Sequence, residues 1–271
     1  MKVNFKRRML CLVTSLACAL SLAACGAGNG AGGDTELGLL NSGVLKVGVE
    51  VGYPPFETFD DDGVTLTGLD IELATEIANI LGVEVEFEDT AWDGIFSGLS
   101  INKYDCVISA VTVNPERAKT MDFSTPYIEN WQSIVIRKGT PAVASMGELD
   151  GLDVGYQDAT SSDEYLDELQ QTGVLSCTVH EYDKILNAFD DLKLERVNAI
   201  LCDSTVAEAY VEREPDVFEI SWIQSSEPGV EPEKFAVALN KGNIKLLEAV
   251  NSALQTLEEN GKLDEIRDNW L

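Results

Sequence analysis

Groups that bind metals or activate nucleophiles are scarce in this 271-residue chain. His180 is its only histidine, and no two of its six cysteines have the CxxC spacing of a zinc or redox motif. The sequence also lacks a Gly-rich phosphate loop and a recognisable pair of nucleophile and base. We therefore expect no metal, no cofactor and no enzymatic activity.

Positive charge is scarce as well. The chain has 19 Lys and Arg against 47 Asp and Glu, which gives a formal charge of −28. Such a surface repels nucleic acid and anionic lipid headgroups, so we expect no nucleic-acid partner. The excess of acids is typical of an extracellular protein that must stay soluble. Attraction of cationic solutes is a second interpretation that the charge alone leaves open.

A long apolar run occurs only at the start of the chain. Four cations among residues 2–8 precede an uncharged, mostly apolar run, Met9–Ala24, which is the order of a secretory signal. The run is short for a membrane-spanning helix, which needs about 20 apolar residues. It ends Leu22-Ala23-Ala24-Cys25, which resembles the site where bacterial lipoproteins are cleaved and lipidated on cysteine. An ordinary signal peptide with an incidental cysteine is the alternative.

These features predict three N-terminal parts. Residues 1–24 form a signal peptide, Cys25 carries the lipid, and the Gly-rich residues 25–35 are a flexible tether. Two acyl chains hold a protein stably on a membrane. We therefore expect the protein to be exported and anchored to the outer face of the cell membrane, with the lipid as its only membrane contact.

Three cysteines remain beyond the export signal, namely Cys106, Cys177 and Cys202. All three lie in apolar runs, where free cysteine commonly acts as a small core residue. A disulfide between Cys177 and Cys202 is compatible with an oxidising compartment, and the sequence leaves that possibility open.

From residue 36 onward, strand-like and helix-like segments alternate. Val44–Val49 predicts a strand, 68–81 a helix, 83–87 a strand, 92–101 a helix and 105–111 a buried strand. This βαβαβ order is typical of parallel strands covered by helices. A second strand and helix set follows from about residue 133, and a long amphipathic helix begins after Asn243. Two such sets predict two lobes, with the chain crossing between them near residues 128–132 and 222–230.

Several segments in order resemble one known family. They include 47–56 (VGVEVGYPPF), 68–74 (GLDIELA), 90–95 (TAWDGI), 103–109 (KYDCVIS), 112–118 (TVNPERA), 122–127 (DFSTPY) and 260–266 (NGKLDEI). Taken together they resemble the family 3 extracellular solute-binding proteins, the polar amino acid receptors of ABC importers. The resemblance covers essentially all of residues 36–271.

The resemblance implies an α/β, two-lobed fold of the type 2 periplasmic-binding-protein class. Each lobe is a mixed β-sheet flanked by helices, and two hinge crossovers join the lobes. Lobe 1 comprises residues 36–130 and 228–271, and lobe 2 comprises residues 131–227. The implied function is capture of a polar or cationic L-amino acid between the lobes and its delivery to the permease, by a monomer.

The resemblance also implies roles for particular residues. Arg117, helped by Thr112, corresponds to the group that binds the ligand's carboxylate, for which a planar guanidinium is well suited. Asp203, between a buried strand and a helix, corresponds to the group that binds the ammonium, although aspartate there could instead cap the helix. A surface salt bridge is the alternative for Arg117. The remaining ligand-binding positions are Glu50, Tyr53, Trp92, Ala110, Thr160 and Ser161.

Three of these positions have particular chemical roles. Tyr53 and Trp92 correspond to the aromatic residues that pack on the ligand's side chain, with core packing as the alternative, above all for Trp92. Glu50 corresponds to the position that contacts the distal end of the ligand, where a carboxylate suits a cationic or amide side chain. Two alternative functions remain, an enzyme of the cyclohexadienyl dehydratase kind on the same scaffold, and a ligand sensor for a separate signalling protein.

Overall fold

The computed structural model describes residues 37–60 and 62–271. The predicted signal peptide, tether and lipidated Cys25 lie outside the described residues. The strands are β1 Val44–Val49, β2 Thr58–Phe59, β3 Leu66–Thr67, β4 Glu84–Asp89, β5 Cys106–Val107, β6 Met121–Phe123, β7 Ile128–Asn130, β8 Gln132–Arg137, β9 Asp153–Gln157, β10 Thr178–Tyr182, β11 Ala199–Asp203, β12 Phe218–Ile223, β13 Glu233–Phe235 and β14 Ala238–Asn240. The α-helices are α1 Leu69–Leu81, α2 Trp92–Ser100, α3 Arg117–Thr120, α4 Ser161–Gln171, α5 Ile185–Lys193, α6 Ser204–Arg213, α7 Ile244–Glu259 and α8 Lys262–Trp270.

The first sheet has the strand order β4-β1-β5-β14-β6. Strand β1 is parallel to β4 and to β5, as the βαβαβ pattern predicts, whereas β14 is antiparallel to β5 and β6. The apolar residues spaced along α1, such as Leu73 and Ile77, are fully buried. Helices α7 and α8 pack against α1, so the C-terminal helices complete the first lobe.

The second sheet has the order β10-β9-β11-β8-β12 and is also mixed. Strand β9 is parallel to β10 and β11, and β8 is antiparallel to β11 and β12. On one side of this sheet the ring of Phe189 stacks on that of Tyr210, with centroids 3.7 Å apart. Phe189 also makes an edge-to-face contact with Phe218. Two lobes, each a mixed sheet flanked by helices, confirm the predicted fold class.

The two segments that connect the sheets are hydrogen-bonded to each other. Strand β7, just before the second sheet, pairs antiparallel with β13, which leads back to the first sheet. The first crossing contains β7, and the second contains β13, after which the chain returns to the first sheet at β14. The lobe boundaries given from the sequence stay a prediction.

One predicted strand is shorter than expected, and a second apolar run is divided between two strands. The strand predicted over 105–111 is reduced to Cys106–Val107, because Ala110 has a left-handed φ of 45° that ends the extended conformation. Its amide donates to Asp70 Oδ2 at 2.7 Å, which holds this bend. The apolar run near 235–239 forms β13 and β14 separately, since one pairs with β7 and the other joins the first sheet.

The cysteines and the histidine have structural surroundings. Cys106, Cys177 and Cys202 are all free thiols, so the possible disulfide between Cys177 and Cys202 is not formed. His180 pairs with Asp153 at 2.8 Å near the surface. Within residues 37–60 and 62–271, no cluster of side chains could hold a metal ion, and no helix is both long and apolar enough to cross a membrane.

Candidate ligand-binding site

A small cavity lies between the two sheets and is lined by residues of both lobes. Glu50 follows β1, while Gln157 and Asp203 end β9 and β11, so the carboxyl ends of parallel strands face the cavity, as in other open α/β sheets. All nine residues predicted for ligand binding line this cavity. The full lining is Glu50, Tyr53, Glu57, Trp92, Ser109, Ala110, Thr112, Arg117, Gln157, Thr160, Ser161 and Asp203.

Arg117 is a buried cation without an acidic partner. Its Nη1 donates to the carbonyl of Thr112 at 3.0 Å, and its Nη2 donates across the cleft to the carbonyl of Ala159 at 3.2 Å. The guanidinium lies over the rings of Phe96 and Trp92, 5.0 and 5.5 Å from their centroids. No carboxylate of the described residues lies within 4 Å of it, so the surface salt bridge considered from the sequence is not formed.

Asp203 is the opposite case, a buried acid without a cation. It occupies the N-cap position of α6 but makes no capping hydrogen bond, so helix capping is not its role. Its Oδ2 accepts from the Tyr53 hydroxyl at 2.5 Å, and its Oδ1 accepts from Asn130 at 2.6 Å and Gln132 at 3.3 Å. Burial, together with the charge of Glu233, raises the pKa of Asp203 to about 7.

Glu50 lies at another part of the cavity and is held by one side chain from the second lobe. The Gln157 Nε2 donates to both Glu50 oxygens, at 3.0 and 2.9 Å, and to the carbonyl of Asp183 at 3.1 Å. The Gln157 Oε1 is buried with no hydrogen-bond partner. Burial raises the pKa of Glu50 to about 7. This part of the cavity therefore offers a carboxylate and an unused carbonyl, both of which accept hydrogen bonds.

Both aromatic residues, Tyr53 and Trp92, lie in hydrophobic core clusters and also line the cavity. Trp92 packs with Ile95 and Leu99 in a core cluster and also lines the cavity. Its indole Nε1 donates to the carbonyl of Ala159 at 2.9 Å, which is a contact between the lobes. Ala159 has a left-handed φ of 57°, and its carbonyl oxygen is shared by Trp92 and Arg117.

The turn before α4 supplies two hydroxyl groups. Thr160 is the N-cap of α4: its hydroxyl donates to the carbonyl of Gln157 at 2.6 Å and accepts from the amide of Asp163. Ser161 Oγ lies 3.4 Å from Thr112 Oγ1, so the two lobes meet here through a pair of hydroxyls. A helix N-terminus with hydroxyl groups is well suited to an anion.

Comparison with known proteins agrees with this geometry. The model of the bacterial extracellular solute-binding proteins, family 3, matches residues 45–271. The chain belongs to this family. It is 35% identical to the L-cystine-binding protein TcyJ of Escherichia coli strain K12 over 238 residues, which are 86% of each chain. It is 30% identical to the ABC transporter arginine-binding protein 1 of the same strain over 226 residues, 83% of this chain and 90% of that protein.

Solved structures support the same family. An ancestral arginine-binding protein bound to arginine superimposes with a TM-score of 0.79 and 37% identity, covering 85% of this chain and 99% of that one. These relatives are binding proteins and not enzymes, which confirms the expectation of no enzymatic activity. Since the family consists of extracellular proteins, this solute-binding protein is exported.

Some residues of the site were not predicted. Two buried acids of this solute-binding protein were missed: Glu57, which lines the cavity, and Asp70, which accepts from the amide of the lining residue Ala110; they are only 0–1% exposed. Glu57 accepts from the Ser109 hydroxyl at 2.6 Å, and Asp70 accepts from Ala110 and from the Tyr127 hydroxyl, yet each acid has one oxygen without a partner. Burial raises both pKa values, to about 7 for Asp70 and well above the ordinary value for Glu57, where the charge of Asp70 adds to the effect. We expect this pair to retain a proton at neutral pH.

Glu233 and Gln132, from the crossovers, and Gln157 were also missed. Nothing local marks Glu233, because it is one of 47 acids and its position becomes special only when β13 pairs with β7. Gln157 had a usable signal, since it follows an apolar run and ends β9 directly before the turn that contains Thr160 and Ser161.

Proposed function

We propose that this solute-binding protein is the substrate-binding lipoprotein of an amino acid ABC importer. It captures a polar or cationic L-amino acid between its lobes and delivers it to the permease. The observation that carries this proposal is that Arg117 and Asp203, a buried cation and a buried acid, line the same cavity and neither has a partner of opposite charge. A free amino acid brings a carboxylate and an ammonium, which supply both missing charges.

The two buried charges make the cavity energetically costly as long as neither has a partner of opposite charge. A buried charge without an opposite charge costs several kcal/mol, and a ligand that provides the partner recovers part of that cost. Arg117 can bind two carboxylate oxygens side by side. Its hydrogen bonds to Thr112 and Ala159 each go to a single carbonyl oxygen and do not use this paired geometry. An ammonium near Asp203 replaces contacts with neutral donors by a contact between opposite charges.

The Glu50 end of the cavity favours a ligand with a cationic side chain. Both hydrogens of the Gln157 amide are used on Glu50 and Asp183, so Glu50 and the Gln157 Oε1 remain as acceptors. A guanidinium or an ammonium offers only donors, whereas an amide also brings an acceptor. The similarity to an arginine-binding protein supports the cationic class, and the similarity to a cystine-binding protein keeps cystine among the candidates.

Closure of the lobes is the step that the permease would recognise. Several hydrogen bonds already cross the cleft, among them Tyr53 to Asp203, Trp92 to Ala159, and Lys184 Nζ to the carbonyl of Val51 at 2.7 Å. A ligand that contacts both lobes favours the closed form by its higher affinity for that form. We propose that a monomer acts in this way from a lipid anchor at Cys25. A sensor that serves a separate signalling protein would use the same closure.

A thermal melt of the purified protein against single amino acids tests the proposal. A ligand at a hundred times its Kd stabilises the folded state by about 2.7 kcal/mol, which raises the Tm by several degrees. We expect a shift with L-arginine, L-lysine, L-histidine, L-glutamine or L-cystine, and none with L-aspartate. If no amino acid raises the Tm, the protein is not an amino acid receptor.

Delivery to a permease needs a separate test. Transport of the labelled amino acid should require this protein together with an ABC permease in reconstituted vesicles. Binding without any stimulation of transport would instead favour the sensor function.

A further inference from the structure

The crossover strand β13 places a carboxylate behind the cavity. Glu233 is the first residue of β13 and pairs with Asn130 of the other crossover. Its side chain accepts from Ser161 Oγ at 3.0 Å, from Thr112 Oγ1 at 3.4 Å and from Gln132 Nε2 at 3.2 Å to each oxygen. Thr112 belongs to the first lobe and Ser161 to the second, so one carboxylate connects both lobes and the crossover.

The Gln132 side chain can adopt only one amide orientation here. Its oxygen accepts from the Ser162 hydroxyl at 2.7 Å, and its Nε2 faces two acids, Glu233 at 3.2 Å and Asp203 Oδ1 at 3.3 Å. The flipped amide would place its oxygen against both carboxylates, which is repulsive. The amide nitrogen therefore connects Glu233 to Asp203.

The direction of the Ser161 hydroxyl is fixed in the same way. Its oxygen lies 3.2 Å from Gln132 Nε2 and 3.0 Å from Glu233, and because a carboxylate only accepts, the hydroxyl hydrogen is donated to Glu233. In this arrangement Glu233 has only neutral donors as partners. No cation of the described residues lies within 4 Å of Glu233.

We propose that Glu233 is a positioning residue of the ligand site: its carboxylate orients the Gln132 amide, which holds Asp203 where that acid receives the ligand's ammonium. This inference rests on the proposed function as an amino acid receptor. Glu233 does not line the cavity, so it acts on the ligand through its neighbours. Because it acts on the ammonium end, it affects every α-amino acid alike, whatever its side chain.

Glu233→Gln is the informative variant, because it keeps the size and replaces one acceptor oxygen by an NH₂ group. Where that group faces the NH₂ of Gln132, donors oppose donors, and in either orientation Gln132 and Ser161 are left with one acceptor oxygen in place of two, so the Gln132 amide is no longer held towards Asp203. Glu233→Asp retains the charge and should restore part of the affinity. Glu231→Gln, at an exposed acid two residues earlier, is the matched control.

The measurement is the Kd by calorimetry for L-arginine and for 5-guanidinopentanoate, which is the same molecule without the α-ammonium. At about pH 8, Glu233→Gln should raise the Kd for L-arginine at least about tenfold. It should raise the Kd for the deaminated probe less than about threefold. L-Glutamine and 4-carbamoylbutanoate form the equivalent pair if L-arginine does not bind. An equal loss for both members of a pair, or no loss for either, overturns the inference.

The pH profile gives a readout that a purely structural role would not change. The charged or titratable groups that act on Asp203 are Glu233, Tyr53 and Arg117, and Glu233 raises its pKa. In Glu233→Gln the pKa of Asp203 should fall, because a neighbouring negative charge is removed. L-Arginine affinity is lost on acidification when Asp203 takes up a proton, so the pH at which this loss occurs should be lower in the variant. An unchanged profile contradicts the inference.

Failure of the proposed function itself would look different. In that case no amino acid would raise the Tm of the wild type, and the inference about Glu233 would fall with it. If the wild type binds and Arg117→Ala abolishes binding while Glu233→Gln behaves as the wild type does, only the inference about Glu233 is wrong.

Discussion

Replacement of Arg117 by alanine separates ligand binding from folding stability. In the bound protein the guanidinium would make two parallel, charge-assisted hydrogen bonds to the ligand's carboxylate, each worth about 1.5–3 kcal/mol. Removing one member of a buried charged pair costs roughly 2–5 kcal/mol in binding free energy. We therefore expect Arg117→Ala to raise the Kd for the amino acid by about 30-fold to about 5,000-fold.

The effect on the unbound protein should be much smaller. The substitution removes the hydrogen bonds to the carbonyls of Thr112 and Ala159 and the stacking on Phe96 and Trp92. It also removes a buried cation that has no acidic partner, and this offsets part of the loss. The free energy of unfolding should change by no more than about 2 kcal/mol, a value within the ordinary range for point substitutions.

Calorimetric titration and urea unfolding of the same preparations test both parts. Arg117→Lys is the informative companion, because it keeps the charge and loses the planar pair of donors, so its Kd should lie between the other two. A tenfold change in Kd corresponds to about 1.4 kcal/mol. A Kd for Arg117→Ala within about threefold of the wild-type value would therefore be too small a loss for a buried charged pair and would refute the assignment of Arg117 to the ligand's carboxylate. If Arg117→Ala fails to fold while Arg117→Lys folds normally, Arg117 contributes to folding stability rather than to ligand binding alone.

Three further predictions concern the acids and the packing. Burial raises the pKa of Glu50 from 4.5 to about 7, so the folded state retains this proton at pH values where the unfolded chain has released it. The unfolding free energy should therefore fall by up to about 3 kcal/mol between about pH 5 and about pH 8, and urea unfolding of Glu50→Gln should show a smaller fall; equal falls would contradict this. Gly68→Ala should destabilise the fold by at least about 2 kcal/mol in urea, since its Cβ would lie 2.1 Å from the Phe56 carbonyl oxygen at a φ of 130°. Phe189→Ala, which removes the ring stacked on Tyr210, should cost about 3–5 kcal/mol by the same assay, and a cost below about 1 kcal/mol would contradict the packing described.

The sequence predicts those parts of the fold whose causes are local. The strand β1 and the helix α1 follow from β-branched runs and from apolar residues at helical spacing, and both are found within one residue of the prediction. The three-residue strands β7 and β13 were not predicted, because each is extended only through its pairing with the other, about 100 residues away. Local periodicity carries no information on such partners.

The same distinction holds for the site. The nine predicted residues were inferred from the family resemblance, and all of them line one cavity. Glu57 and Glu233 could not be found in this way, because an acid in a single sequence looks like any other until burial removes its solvent. The bend at Ala110 was missed for a similar reason, since only the buried Asp70 carboxylate stabilises its left-handed conformation.

The position of β14 in the first sheet has a consequence for the order in which the lobes fold. All five strands of the second sheet lie within residues 132–223, so that sheet can form from one continuous stretch of chain. In the first sheet, β6 is joined to β5 only through β14, which comes more than 110 residues later than β6. Until residues 238–240 arrive, β5 presents an open edge and β6 has no partner. Because long-range pairing is slow, we expect the second lobe to fold first and the first lobe to be completed by the end of the chain.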